Sequence, residues 1–565
     1  MHFSTRRNFL SAVAGTGLSS MVPSLRLSPP TSHPRDKTFL EIIRQPDSAT
    51  VFQDLDTPQS ASRAAALWRS GEVLLRIEPE RNGLPIYISA PRTRLTHVHL
   101  RWETDVPSSI LVMGDAWERS YGDLRWSYVI PERVMPWYFL TYGQEMLHGY
   151  GVRTGAGSFC FWQLDPDGVS LWLDISNGGS GVELGERELH AATVVSLRGE
   201  PGVDPLVTAK EFCREMCDAP RSVAPVIYGS NDWYYAYGRN SAEQIVRDAE
   251  LMSTLAPSGG TRPFTVIDDG WQDREKYPDM TELAQAIRVR DVRPGLWIRP
   301  LEAPDNAHPQ LLMPQQRLGN LTRHLPAYDP TIPEGLEAIL DKVKQAVGWG
   351  YQLVKHDYTT FELLGRWGFQ MDARPTLPNW NFHNRSKTTA EIVKELYTSI
   401  RGAAGDHTVL IGCNTIGHLA AGIFDVQRTG DDTSGQNWER TRRMGVNTLA
   451  YRLPQHRAFF LIDADCAPIT KQTPWICTMQ WLDLVARSGT ALFVSPEPAA
   501  IGAEQRCAIR EAFQVLQSAG TDVRPLDWQT STAPRKWEFG PRKSKSYLQK
   551  TYDWYQQSGA WPYDI

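Results

Sequence analysis

The chain has 565 residues, 41% of them apolar and 22% charged. This is the balance of a folded globular protein, and it is too much chain for one ordinary core, so two or three domains are expected. Fifty-nine Lys and Arg stand against 64 Asp and Glu; with no basic stripe, nucleic acid and anionic membranes are not indicated as partners.

Near the N-terminus, Ser4-Thr5-Arg6-Arg7-Asn8-Phe9-Leu10 precedes the weakly apolar SAVAGTGLSSMVPSL and the Pro-rich RLSPPTSHP. An arginine pair, then Phe-Leu, then a Gly-softened apolar stretch resembles a twin-arginine export signal, so residues 1–35 are assigned to signal and linker. That predicts a periplasmic or secreted protein. Elsewhere no run of about 18 apolar residues could span a bilayer.

Residues 38–220 show mostly period-two patterning, as in HVHLRWET (97–104), SSILVMGDAW (108–117), SFCFWQLDPDG (158–168) and VSLWLDISNGG (169–179). Alternation bounded by Gly, Pro, Asn and Asp predicts antiparallel strands with one buried face, hence an N-terminal β-sandwich domain. A short helix over 204–218 is its exit.

From Pro225 the pattern becomes strand, turn, helix, repeated. Strand candidates are 225–233, 264–271, 293–301, 351–359, 408–414, 424–432, 459–466 and 490–498; amphipathic helices are predicted over 241–255, 334–348 and 388–403. Continuous apolar strands alternating with helices of period 3.6 predict a parallel sheet wrapped by helices, and their number fits a (β/α)8 TIM barrel over 221–523. An open doubly wound sheet is disfavoured because no Gly-x-Gly-x-x-Gly follows the first strand. Residues 524–565 are too few for a third core and form a short C-terminal extension.

The seven cysteines (160, 213, 217, 413, 466, 477 and 507) match no CxxC or Cys/His spacing, and no HExxH or EF-hand loop is present, so no metal or cofactor is expected. The chemistry lies at the strand ends. Trp233, Asp268, Asp269, Trp271, Trp297, Arg299, Lys355, Asp357, Cys413, Asn414, Arg428, Asp431 and Asp432 all fall at the C-terminal ends of strand candidates. In a parallel barrel that end builds the active site. So many acids at one rim are costly without a task, because buried like charges raise one another's pKa. Two facing carboxylates suffice to cleave a glycosidic bond with retention, one attacking the anomeric carbon and one protonating the leaving oxygen.

IDDGWQ (267–272), the KxD of KHDY (355–358), the RxxDD of QRTGDD (427–432), GLWIRP (295–300) and GDAWERSYGDLRW (114–126) resemble the α-galactosidase clan of glycoside hydrolases, nearest to family 36 with its raffinose synthase branch. The resemblance implies Asp357 as nucleophile and a strand-6 aspartate as acid/base. That acid/base is assigned to Asp431, which follows a small residue; Asp432, which distance from Arg428 would select instead, is the competitor and otherwise a binding residue. The resemblance further implies that Lys355 binds a sugar hydroxyl and keeps Asp357 ionised, that Arg428 contacts the 2-hydroxyl or orients a carboxylate, and that Asp268 and Asp269 read the 4- and 6-hydroxyls. Trp271 and Trp297 would form apolar walls. CNTIGHL departs from the glycine pair common after the strand-5 cysteine, leaving hydroxyl or acetamido open at the sugar 2-position. Arg299 stands where several relatives have an acid.

The expected function is an exo-acting retaining α-glycosidase that removes terminal galactose or N-acetylgalactosamine from oligosaccharides or glycoconjugates by double displacement. The competitors are a transglycosylase of raffinose-synthase type, with the same two aspartates, and a non-catalytic carbohydrate-binding protein.

Overall fold

A computed structural model describes residues 38–221, 226–321, 325–520 and 522–554; the twin-arginine segment lies outside them. The described residues from Thr38 onward form one compact unit.

The period-two half folds into two antiparallel sheets. One has six strands, with His97–Glu103 between Ser48–Phe52 and Gly168–Asp174, and Phe159–Asp165 beyond. The other has eight strands and includes Leu84–Ala90, Leu111–Gly114, Tyr138–Gly143, Met146–Val152 and Gly185–Leu197. Alternation is plain in His97–Glu103, where Val98, Leu100 and Trp102 are fully buried while His99 and Arg101 between them are not. Phe139 of the larger sheet meets Trp162 of the smaller at 5.6 Å, edge to face, so the two sheets share aromatic core. The helix Pro205–Met216, capped by Asp204, lies against Met146–Val152. It approaches so closely that a Cβ at Gly149 would stand 2.3 Å from the Phe212 ring.

Every one of the eight barrel-strand candidates contains a strand of one parallel sheet. The nine strands of that sheet are β1 (Tyr228–Asn231), β2 (Phe264–Ile267), β3 (Arg293–Ile298), β4 (Leu353–His356), β5 (Val409–Gly412), β6 (Val426–Arg428), β7 (Leu461–Asp463), β8 (Ala467–Ile469), which lies outside the candidates, and β9 (Leu492–Pro496). The order is β7-β6-β5-β4-β3-β2-β1-β9-β8, and all pairs are parallel. Helices such as Ala242–Leu255, Pro333–Gly348, Thr389–Ala404 and Trp475–Ser488 connect them. In Ala242–Leu255 the buried Ile245, Ala249 and Met252 lie on one stripe, and the Ser241 side chain caps the N-terminus, the pattern of an amphipathic helix laid on a sheet.

The sheet differs from a closed eight-strand ladder at one place. The seventh candidate segment contains β7 alone, β8 follows just beyond it and was not predicted, and β7 reaches β9 only through an isolated bridge, Asp463 with Ala491, with Ala491 N–H on Ile462 O at 3.0 Å. The interruption is held by Asp465 in the left-handed region at φ +73°. Its carboxylate accepts from Thr433 N at 2.7 Å, Thr433 Oγ1 at 2.9 Å and the Tyr234 hydroxyl. An aspartate anchored inward this way cannot continue the ladder.

After β9, Val523–Pro525, Lys536–Phe539 and Leu548–Thr551 form a three-stranded antiparallel sheet. It is tied to Trp475–Ser488 by Lys550 and Tyr552 on Asp483, at 2.6 and 2.7 Å.

Candidate active site

The rim side chains of neighbouring strands hold one another. Asp268, buried after β2, accepts from Lys355 Nζ at 2.6 Å and Asn231 Nδ2 at 2.8 Å through Oδ2, and from Asp269 N–H at 3.0 Å through Oδ1. One carboxylate thus ties β1, β2 and β4 together. Burial, the largest single influence, would lower the pKa of Lys355, but Asp268, Cys413 and Asp357 together hold the ammonium well above its ordinary value. The direct partner of Lys355 is therefore Asp268; Asp357 contributes to its charge more weakly. Asp269 is half-buried, with Oδ1 taken by Gly270 N–H at 2.9 Å and Gln272 Nε2 at 3.1 Å.

Asp357 extends the β4 ladder, its N–H donating to Ile298 O at 3.1 Å. Its Oδ1 accepts from Tyr358 N–H at 2.7 Å and its Oδ2 from Trp297 Nε1 at 3.0 Å. Trp297, expected as an apolar wall, is buried and serves instead as a donor to the Asp357 carboxylate. Trp271 donates in turn to Trp297 O at 2.8 Å and packs edge-on against Trp349, and Trp233 packs against Tyr237 at 5.6 Å. Directly after Asp357, Tyr358 takes φ +64°, a strained conformation for a residue with a side chain. It turns the chain sharply from β4 into the helix Thr359–Leu364.

At β5 the reading changes. Cys413 is buried; burial pushes its thiol far above the usual range, and its sulfur accepts from Arg428 Nη1 at 3.4 Å. Asn414 is fully buried. Its Oδ1 accepts from Phe361 N–H at 3.3 Å, its carbonyl from Thr360 N–H at 3.1 Å, and its Nδ2 donates to Glu118. With both ends of its amide engaged, it braces the start of Thr359–Leu364. Arg299 is neutralised by Glu362 and Glu302, each at 2.7 Å.

The two β6 aspartates sit in different surroundings. Asp431 Oδ1 is 3.0 Å from Arg119 Nη2, and its Oδ2 is 2.5 Å from Arg440 Nη2. Asp432 is bound on one side only, Oδ1 lying 3.2 Å from Arg428 Nη2 and 3.6 Å from Arg119 Nη1. Its side chain is 39% exposed against 15% for Asp431. Burial would raise the Asp432 pKa, but Arg428, Arg119 and Lys355 together hold it down at about 2. Arg428 is itself buried and clamped by Asp465 at 2.9 Å.

Sequence reading did not single out Arg119, Arg440 or the clamp role of Asp465. Arg119 comes from the loop of the antiparallel half that carries GDAWERSYGDLRW, 312 and 313 positions from its two partners by residue number. That loop is stitched to the β6 turn by Ser120 N–H on Thr429 O and Asp431 N–H on Ser120 O, both 2.9 Å. The motif was the available signal; nothing local marked its arginine. Among the described residues no group of three or more His, Cys, Asp or Glu is arranged to hold a metal, and no helix is long and apolar enough to cross a membrane.

No protein-family model matches the sequence. Among solved structures, an α-galactosidase from Thermus thermophilus in complex with p-nitrophenyl α-D-galactopyranoside superposes with a TM-score of 0.58 at 18% identity, covering 87% of this chain and 99% of that one. The chain has the fold of this α-galactosidase. The GH36 α-galactosidase AgaA from Geobacillus stearothermophilus, in complex with 1-deoxygalactonojirimycin, gives 0.55 at 13% identity over 87% of this chain and 74% of that one. The galactosidase domain of the α-galactosidase-sucrose kinase AgaSK gives 0.53 at 14% over 88% and 78%.

Proposed function

We propose that this protein is a glycoside hydrolase acting on terminal α-linked galactose-type sugars by double displacement, with Asp357 as nucleophile and Asp432 as acid/base. We read its parallel sheet as a (β/α)8 barrel with a split seventh strand. The observation that carries the proposal is the single rim network. Asp268–Lys355, Trp297–Asp357 and Arg428–Asp432 contacts of 2.6, 3.0 and 3.2 Å hold Asp268, Asp357 and Asp432 after β2, β4 and β6 at one end of the sheet, which supports reading them as a sugar-reading carboxylate, a nucleophile and an acid. The fold likeness to α-galactosidases seen with a nitrophenyl galactoside, an iminosugar and stachyose supports the same sugar class.

Geometry favours Asp432 over Asp431 as the acid/base. A leaving-group acid needs one oxygen free to face the departing atom. Both oxygens of Asp431 are taken by arginines, whereas Asp432 keeps Oδ2 clear of any partner among the described residues. Asp357 has both oxygens anchored by N–H donors, which orient a carboxylate for attack without neutralising it. Asn414, engaged elsewhere, lends nothing to an acetamido pocket, and galactose is the preferred sugar.

A panel of nitrophenyl α- and β-glycosides tests this. Release from the α-galactoside with an α-configured first product by NMR is expected; activity confined to α-glucosides or β-glycosides, or none at all, would sink it. Export by the twin-arginine route belongs to the same proposal and rests on Arg6 and Arg7; a reporter carrying residues 1–35 should reach the periplasm, and its Arg6→Lys/Arg7→Lys form should not.

A further inference from the structure

The strand His97–Glu103 holds a buried group that nothing in the chemistry above uses. His97, His99 and Arg101 alternate with its core residues and so face away from the interior of the sandwich. Arg101 pairs with Asp165 at 2.5 Å, and His99 stacks on Trp172 at 4.2 Å. His97 has neither kind of partner. It is only 7% exposed, yet neither ring nitrogen makes a hydrogen bond among the described residues. Directly across the ladder stands Asp174, as deeply buried. Its Oδ1 accepts from Ser176 N–H at 2.9 Å, but its Oδ2 is 3.7 Å from His97 Nε2, outside hydrogen-bond range. Burial lowers the His97 pKa, so the ring stays neutral and offers one donor and one acceptor. Buried polar side chains nearly always have a partner, and a facing pair with open valences is an exception that needs an occupant.

What covers this outward face is the barrel half of the chain. Gly179 N–H donates to Trp380 O at 2.9 Å, and Asn379 N–H donates to Gly179 O at 3.0 Å. Glycine is required at this seam, since a Cβ on Gly178 would stand 2.9 Å from the Trp380 ring and one on Gly179 would stand 1.8 Å from Leu377 O. Fully buried Asn177 locks the seam, its Nδ2 donating to Asn384 O and Lys387 O at 2.8 Å. Between the seam and the strand ends lies a cleft of about 480 Å³, within the range of about 300–1,000 Å³ usual for small-molecule sites. Buried His97 and Asp174 line it, together with exposed Asp54, Asp56, Arg374 and Asn379. No Trp, Tyr or Phe and no residue of the rim network is among its lining residues.

The lining fits one chemistry better than others. Arg374 forms no ion pair among the described residues, although three carboxylates line the same cleft. An anion would meet those carboxylates and a cation would meet the guanidinium. A hydroxyl both donates and accepts, so a ligand rich in hydroxyls satisfies both. We infer that this cleft binds an uncharged polyhydroxyl ligand, a mono- or disaccharide, through His97, Asp174 and Arg374. The site stands apart from the α-galactosidase reading and does not depend on it.

The test is an NMR titration of the full chain with glucose, sucrose and maltose, which contain no galactose, and with inorganic phosphate and spermidine as charged probes. At least one sugar should bind, and Arg374→Ala and His97→Phe should each weaken it about tenfold or more, the size of a lost hydrogen bond to ligand. Arg374 is exposed, so its variant folds. His97→Phe deletes two unpaired nitrogens, and its melting temperature should not fall. Release of nitrophenol from the α-galactoside should be the same in both variants as in the wild type. If no probe binds, the cleft holds solvent alone and the site is overturned. Binding of phosphate or spermidine with no sugar bound overturns its chemistry. Sugar binding that persists undiminished in either variant lies elsewhere on the protein and overturns the assignment as well.

Discussion

Removing the Arg119 guanidinium should move the pH profile of this protein in a direction fixed by the geometry. Arg119 Nη1 stands 3.6 Å from Asp432 Oδ1, with Arg428 Nη2 at 3.2 Å on the same oxygen. At such a separation and an effective dielectric near 20, a full charge pair is worth roughly 4–5 kcal/mol, or about three pKa units. The Asp432 side chain is 39% exposed, so water screens much of this, and about one to two units is the expected change. Arg428 remains, so in Arg119→Ala the carboxyl should rise from about 2 by that amount and still titrate in the acid range. A general acid works only while protonated, and kcat/KM falls as pH climbs past its pKa in the free enzyme. The wild type should therefore be an acid-optimum enzyme, and the high-pH limb of Arg119→Ala should lie about one to two units above its own. Arg119→Lys, which keeps a charge, should show a smaller move. The assay is kcat/KM against pH on a galactoside with a poor leaving group. A limb that stays put or moves down refutes the reasoning, because the titrating acid is then not the carboxyl facing Arg119.

Asp432→Ala should lose far more activity on an oligosaccharide than on a dinitrophenyl galactoside and be rescued by azide, whereas Asp357→Ala should lose both; leaving-group dependence in Asp431→Ala instead would reverse the assignment. Trp297→Phe deletes the Nε1 donor 3.0 Å from Asp357 Oδ2; a hydrogen bond to a charged group is worth about 1.5–3 kcal/mol, so kcat/KM should fall about ten- to hundredfold with melting temperature little changed. Glu118→Gln sets an amide N–H₂ against a carboxylate site that faces three donors, Tyr121, Gly368 and Asn414. A buried mismatch of this kind costs about 1–3 kcal/mol, which thermal denaturation should register. Burial raises the Glu118 pKa from 4.5 to about 7. A raised folded-state pKa gives stability that is complete below the unfolded value and is lost as pH rises through the folded one. The gap between wild type and Glu118→Gln should accordingly be wider at pH 5 than at pH 8, and a gap that grows with pH contradicts the burial argument.

What the sequence determined by itself was everything that repeats locally. Period two marked strands such as His97–Glu103, and apolar runs alternating with period 3.6 marked eight of the nine strands of the parallel sheet, all but Ala467–Ile469, because burial on one face or both leaves its spacing in the chain. The acids at the strand ends followed from the same reading, since a parallel strand delivers its C-terminal residues to one rim. The tertiary structure alone decided how those residues are used. It gave Lys355 to Asp268, made Trp297 a donor for Asp357, and engaged both ends of the Asn414 amide in a brace. It split the seventh strand at Asp465, whose carboxylate answers to Tyr234, Arg428 and Thr433. It also separated Asp431 from Asp432, neighbours that no local rule distinguishes, by bringing Arg119 across from the other half of the chain. Such pairings depend on the distance between side chains after folding, and separation along the chain carries no trace of that.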